Sequence, residues 1–360
     1  MEGLDIITGL SHEFGTPDFV KGGGGNTSVK TEDTLWVKPS GTTLSGLSPT
    51  GFVAMDRKKI SALYQAATPE EADAREVLVK ELMAAAVLPD SSGRPSVEAP
   101  LHDSFEARFV VHTHAVLVNG MTCAVDGKAT CERLFPDALW IEYIDPGYTL
   151  CMHVRQELNT YKEAHGKQPA VVILKNHGIF VAAETADGIR EAYSQVMGTL
   201  EAEYTKAGID TNLRYGATPS EADISTTSTA IKNALGEQDG AAVSYSAAYE
   251  IAPEPISPDH MVYSKSYPLL GEISVDSVAA FRDKHGYSPR VFPCEHGIFA
   301  AGTSQKNADL ALVLSQDGAQ IKQLAEAFGG IEYMTNDARD FIDNWEVEAY
   351  RAKLMSDMNK

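Results

Sequence analysis

The spacing of apolar positions changes along this chain, and each spacing points to an element. From Ile6 to Phe14 the apolar residues recur at three and four residues, which predicts a short helix. Gly22-Gly23-Gly24-Gly25 follows, and four consecutive glycines forbid regular structure while permitting positive φ angles. The segment Thr34 to Lys38 has strand composition and runs into Pro39-Ser40-Gly41, a turn signal. Ala74, Val77, Leu78, Leu82 and Ala85 predict a helix over Glu70 to Val87 that packs on a sheet. Strands are expected at Phe109–His114, Leu139–Ile144, Val171–Leu174 and Ile179–Ala182, the last two joined by a hairpin turn at Lys175-Asn176-His177-Gly178. Ile189, Ala192, Tyr193, Val196, Leu200 and Tyr204 then predict an amphipathic helix from Glu184 to Lys206, ending near Gly208. Strands and helices mixed in this way imply an α/β layer architecture.

Residues 215–226 contain Gly216, Pro219 and several Ser and Thr, so they are expected to link a first domain, 1–214, to a smaller α/β domain, 227–360. The second half echoes the first: Glu295-His296-Gly297-Ile298-Phe299-Ala300-Ala301 repeats the pattern of Asn176-His177-Gly178-Ile179-Phe180-Val181-Ala182, and a predicted helix follows each. The smaller domain is thus expected to be a degenerate partial repeat. It lacks a His-x-His partner, so His296 is not expected to complete a metal site.

Composition narrows the partners. At 360 residues with 43% hydrophobic content, the chain can bury two cores. The 30 Lys plus Arg against 50 Asp plus Glu give a net charge of -20, which repels nucleic acid and anionic membrane surfaces at long range. A small anionic substrate is still compatible, because a metal ion and converging backbone N–H groups reverse the potential within one cleft. Cys123, Cys131, Cys151 and Cys294 form no Cys-x-x-Cys pair, the N-terminus is acidic where a secretory signal is basic, and no apolar run is long enough to span a membrane. A reducing, cytoplasmic setting is the expectation.

Successive strand side chains point to opposite faces, so His112 and His114 project from the same face and can grip one ion. A third ligand has to come from elsewhere, and His177 in a turn is suited to supply it. Three neutral imidazoles leave zinc its full charge and an open position, the arrangement of a Lewis-acid catalyst. Taken alone, a His-x-His pair is more often made of core or surface histidines, and a glycine-rich stretch is more often an ordinary loop.

The motifs Gly23 to Lys30 (GGGNTSVK), Lys38-Pro39-Ser40-Gly41, Pro95-Ser96-Val97-Glu98, His112-Thr113-His114 and Asn176-His177-Gly178 occur in the order and approximate spacing of the class II aldolase/adducin family, which the chain resembles over roughly Gly22 to Lys206. The words GGGNTSVK, LWVKPSG and PSVEAPLH are similar to the aldolase portion of long bacterial rhamnulose-1-phosphate aldolase proteins, and the region from Pro258-Asp259-His260 through Phe299-Ala300-Ala301-Gly302 to Trp345 resembles the segment that follows the aldolase part in them. Those proteins continue into a short-chain dehydrogenase, and no lactaldehyde oxidation is expected here.

The resemblance implies a class II aldolase-like layered sheet flanked by helices. It also implies zinc, or another divalent metal, on His112, His114 and His177. Glu98 becomes the base, the alternative being a solvated surface carboxylate. By the same resemblance Gly25, Asn26, Ser40, Gly41 and Ser96 are expected to hold a substrate phosphate; Lys38 is either a replacement charge or a solvated strand-end lysine, and His102 either supports the site or is a capped or packed histidine. Val97 stands where several sugar-phosphate aldolases have a second hydroxyl residue, so one phosphate hydrogen bond is missing or the anionic group differs. Family members take an acid tyrosine from a neighbouring subunit, for which Tyr143 is the best match and Tyr148 a weaker one, packing being the alternative. The implied reaction is retro-aldol cleavage of a ketose 1-phosphate, of rhamnulose or fuculose type, to dihydroxyacetone phosphate and an aldehyde, in a tetramer. Rival readings are a sugar-phosphate epimerase or dehydratase on the same scaffold, and a non-catalytic adducin-like interaction module. The related epimerases carry Asp where this chain has Glu98, which favours aldol chemistry.

Overall fold

The computed structural model describes residues 2–69 and 71–344. Glu70 and Trp345, named above, lie outside these residues. The elements run α1 (Glu2–Glu13), β1 (Asn26–Lys30), β2 (Thr34–Val37), β3 (Val53–Asp56), α2 (Arg57–Leu63), α3 (Ala72–Ala86), α4 (Ala99–Ser104), β4 (Phe109–Thr113), α5 (Val116–Thr122), α6 (Gly127–Leu134), β5 (Leu139–Ile141), α7 (Tyr148–His165), β6 (Val171–Leu174), β7 (Gly178–Ala183) and α8 (Ala186–Ala207). They continue as α9 (Glu221–Leu235), β8 (Ala242–Ser246), α10 (Pro258–Tyr263), α11 (Val275–His285), β9 (Val291–Cys294), β10 (Gly297–Gly302), α12 (Gln305–Ala325) and α13 (Asn336–Asn344).

Among the described residues one seven-stranded sheet has the order β3-β2-β1-β4-β7-β6-β5, antiparallel except for the β5–β6 pair. Strand alternation sorts its side chains. Val110, Val172, Leu174, Phe180 and Ala182 join Leu101 of α4, Phe105 just after it, and Leu150, Val154 and Leu158 of α7 in one buried cluster. On the other face Phe14, Phe19 and Tyr193 stack together, and the Tyr193 hydroxyl reaches Thr113 Oγ1 at 3.0 Å. The sheet is therefore covered on both faces, as an α/β layer fold requires.

One expected strand is shorter in the structure, and β1 and α7 are among the elements that were not expected. The strand expected to Ile144 stops at Ile141, because the chain turns through Pro146 and Gly147, which adopts φ 98°. The glycine run stays outside regular structure, and directly after it Asn26 to Lys30 form a strand buried along its whole length. Helix α7 has only four buried residues in 18, too thin a stripe to stand out in the sequence.

Within the described residues the chain forms two compact units, one drawn from 1–118 with 128–200 and the other from 119–127 with the residues after 200. The division falls inside α8 rather than at 215, and Glu221 to Thr226, expected in a linker, open helix α9 behind a Ser220–Asp223 capping box. Residues 119–127 belong to the second unit through backbone bonds such as Val125 N–H to Gly330 O and Glu332 N–H to Cys123 O.

The second unit has a three-stranded sheet of order β8-β10-β9. Its β9–β10–α12 run repeats β6–β7–α8 in detail. Gly178 lies so close to Thr113 that a Cβ would stand 2.3 Å from the carbonyl oxygen, and a Cβ on Gly297 would stand 2.5 Å from that of Ser246. The Ala182 N–H to Ala170 O bond recurs as Ala301 N–H to Arg290 O. Strand β8 thereby takes the place of β4, with Tyr245 opposite Phe299 where His112 lies opposite Phe180.

Among the described residues no helix is long and apolar enough to cross a membrane.

Candidate functional site

His112 is the penultimate residue of β4, and His114 lies just beyond its end on the same face. His177 ends the turn between β6 and β7, in which Asn176 adopts φ 52°. The register of the antiparallel β4–β7 pair places that turn beside His114, since Thr113 is opposite Ile179. One nitrogen from each ring lies within 4.8 Å of the others. His112 Nε2 and His114 Nε2 are 3.0 Å apart, close to the roughly 3.3 Å expected for two nitrogens about 2.0–2.1 Å from one tetrahedral zinc.

The orientation of His112 is determined by its surroundings. Its Nδ1–H donates to the Ile179 carbonyl at 3.0 Å, which places the proton on Nδ1 and leaves the Nε2 lone pair for a ligand. Its ring stacks on Phe180 with centroids 3.9 Å apart. The ring is fully buried, whereas His177 is 9% exposed.

Glu98 completes the cluster from the residue before α4. Its Oε1 is 3.6 Å from both His112 Nε2 and His177 Nε2, and its Oε2 accepts a hydrogen bond from Asn26 Nδ2. Although Glu98 is the residue that begins α4, its carboxylate does not cap the helix, so both oxygens are committed to the site. At 6% exposure it is not a solvated surface carboxylate.

The loops expected to hold phosphate adjoin this cluster through backbone contacts. Lys38 N–H donates to Thr27 O, Ser96 N–H to Lys38 O, and Ser40 N–H to Arg94 O. Ser40 and Ser96 thus have their backbone donors engaged within the protein, and Ser96 Oγ accepts from the Glu98 N–H at 3.2 Å, which ties this loop to the carboxylate's own residue. Gly25 adopts φ 69°, and a Cβ there would meet His112 O at 2.8 Å. Lys38 is buried, with Nζ donating to Gly23 O at 3.3 Å. His102 is fully buried one turn after Glu98, and desolvation lowers its pKa to about 3, so it is neutral.

Among the described residues, neither tyrosine hydroxyl bonds an imidazole of its own chain. The Tyr143 hydroxyl is buried beside Asp145, and burial followed by that carboxylate raises its pKa. The Tyr148 hydroxyl reaches Thr68 Oγ1 at 3.5 Å.

Sequence reasoning assigned Asn26 to phosphate and missed its bond to Glu98. It also missed Phe180, whose signal was its recurrence as Phe299 in the second unit.

Residues 6–202 match the family described as class II aldolase and adducin N-terminal domain. A Bacillus subtilis protein described as the uncharacterized oxidoreductase YuxG is 26% identical over 176 residues, which is 46% of this chain and 24% of that protein. The chain thus spans about a quarter of the curated relative it matches. Among solved structures, the N-terminal class II aldolase domain of a conserved protein from Thermoplasma acidophilum is 25% identical, with a TM-score of 0.47, over 55% of this chain and 92% of its own. An L-fuculose-1-phosphate aldolase from Thermus thermophilus is 15% identical, with a TM-score of 0.36, over 55% of this chain and 89% of its own.

Proposed function

The chain belongs to the class II aldolase and adducin family, and from that premise we propose that it is a metal-dependent carbon–carbon lyase cleaving a ketose 1-phosphate of rhamnulose or fuculose type to dihydroxyacetone phosphate and an aldehyde. The observation that carries this reading is Glu98 Oε1, 3.6 Å from two of three clustered imidazoles while Asn26 holds its other oxygen.

The donor set fits a divalent ion, with zinc as our choice: three imidazoles converge, and the His112 proton is engaged on Nδ1. Bound there, a dication supplies an electron sink for the negative charge that develops as the carbon–carbon bond breaks. Glu98 carries the proton to and from the carbon that becomes the hydroxymethyl group of dihydroxyacetone phosphate. Its burial excludes water from that proton, and Asn26 holds the carboxylate in place. Gly25, Asn26, Ser40, Gly41 and Ser96 hold the phosphate, and Tyr143, in a neighbouring subunit's site, takes up the proton of the hydroxyl that becomes the aldehyde during cleavage and returns it as the acid in the reverse aldol addition. The reading includes a tetramer in a cytoplasmic setting, which rests on resemblance.

A panel of ketose 1-phosphates, read by a coupled assay for dihydroxyacetone phosphate on protein of known metal content, tests it. Release of dihydroxyacetone phosphate that is lost on chelation and restored by zinc is the expected result. An epimeric sugar phosphate as product would make the protein an epimerase, and loss of water would make it a dehydratase. Protein that binds no metal and turns over nothing would be an interaction module.

A further inference from the structure

Strand β1 is buried on both faces, yet the face it shares with Val110 of β4 and with Leu35 and Val37 of β2 carries Asn26, Ser28 and Lys30. Three polar side chains in a row on a buried face destabilise a sheet unless each is hydrogen-bonded. All three bond one short segment. Asn26 Nδ2 donates to Glu98 Oε2. Ser28 Oγ lies 2.8 Å from His102 Nδ1. Lys30 Nζ donates to His102 O and Phe105 O, each at 2.6 Å.

The segment they hold is α4 with its flanking residues. At six residues α4 is too short to be stable by itself, and Glu98 stands at its start. The row meets it at its N-terminal residue, its middle and its last carbonyls, so its position along β1 is set at three points. Arg57 and Tyr64 also grip it through Asp103, but from α2 and the residue that follows it. Apolar packing of Leu101 and Phe105 also reaches Val110 of β4, but the side-chain hydrogen bonds of β1 tie the segment to a strand in fixed register with the candidate metal ligands, because Asn26 is paired directly opposite His112.

We propose that Ser28, Lys30 and His102 are positioning residues which, with Asn26, set the distance between the Glu98 carboxylate and the three imidazoles. The inference rests on the reading of Glu98 as the base, and it deepens that reading. A row of apolar residues would bury as well, but it would let α4 slide along β1; hydrogen bonds spaced every second residue define one register. Lys30 suits the task, because burial lowers its pKa to about 7 and its neutral amine still has two N–H donors for its two carbonyl acceptors.

The test loads the full chain with Co2+ and reads its visible absorption, which responds to a carboxylate near the ion, alongside kcat and KM. Ser28→Ala, Lys30→Met and His102→Leu should each bind Co2+ and unfold cooperatively. Their spectra should move toward that of Glu98→Gln, and kcat should fall by about 10- to 100-fold with KM within about twofold. His102→Asn, which retains a polar atom in the place of Nδ1, should restore the spectrum. If Lys30→Met does not fold, the Ser28→Ala variant and the His102 pair decide the question. Folded, Co2+-loaded variants with wild-type spectra and kcat would overturn the positioning role while leaving the aldolase reading intact. Altered spectra in a protein that cleaves no sugar phosphate would support the row and remove the aldolase reading.

Discussion

His112 lies flat against Phe180, their ring planes within 9° and their centroids 3.9 Å apart. The two residues face each other across the β4–β7 pair, so the sheet register itself presses a metal-ligand candidate against a fully buried aromatic ring. With Nδ1 bound to the carbonyl of the residue before Phe180, Ile179 O, the imidazole has one orientation left. Phe180→Leu keeps the core apolar but removes the flat wall. Zinc affinity measured by competition with a chromophoric chelator should fall by about 10-fold, with the fold retained. Unchanged affinity would mean that the hydrogen bond alone orients the ring.

Glu98→Gln preserves size and the Asn26 neighbourhood but cannot accept a carbon-bound proton. Metal content should stay at the wild-type level, and exchange of solvent hydrogen into dihydroxyacetone phosphate should slow by about 10²- to 10⁴-fold. Wild-type exchange would strip Glu98 of its role.

Lys30 makes stability depend on pH in a calculable direction. Burial lowers its pKa from 10.5 to about 7, so between those values the unfolded chain binds more protons than the folded one. The stabilisation is complete above 10.5 and is lost as the pH falls through about 7. Its slope is at most about 1.4 kcal/mol per pH unit. Denaturant unfolding near pH 7.5 and near pH 9.5 should show the wild type gaining up to about 2–3 kcal/mol more than Lys30→Met. Equal gains would show that the ammonium stays charged in the fold.

Gly178 and Gly297 occupy equivalent places in the two hairpins, and at each a Cβ would collide with a neighbouring backbone oxygen. Either alanine variant should cost about 1–3 kcal/mol, because the paired strands have to part. Only Gly178→Ala should also weaken zinc binding, since the oxygen it meets belongs to Thr113, between two histidines of the candidate metal cluster. Thermal unfolding and calorimetric zinc titration of both variants separate the effects. Equal zinc affinity in the two would show that the β4–β7 contact does not hold the site.

If Tyr143 acts in a neighbouring subunit's site, Tyr143→Phe should lower the aldol rate by about 10²- to 10⁴-fold while sparing the Glu98-dependent exchange, which needs no aldehyde. Loss of both in parallel would assign Tyr143 to packing.

The amino-acid sequence alone determined whatever depends on neighbours within a few residues. Strand alternation put His112 and His114 on one face, helical spacing marked α8, and the Asn-His-Gly turn with its echo at His296 marked both hairpins. The approach of Glu98 was decided only by the tertiary structure, because its partner Asn26 is 72 residues away in the chain. The same holds for the β1 row: nothing local in the sequence marks Ser28 and Lys30, which strand pairing buries and the segment from His102 to Phe105 satisfies. The division inside α8 followed the same logic, since it depends on which backbone groups residues 119–127 find as partners. Periodicity reports which way a side chain points, and only packing decides what it meets there.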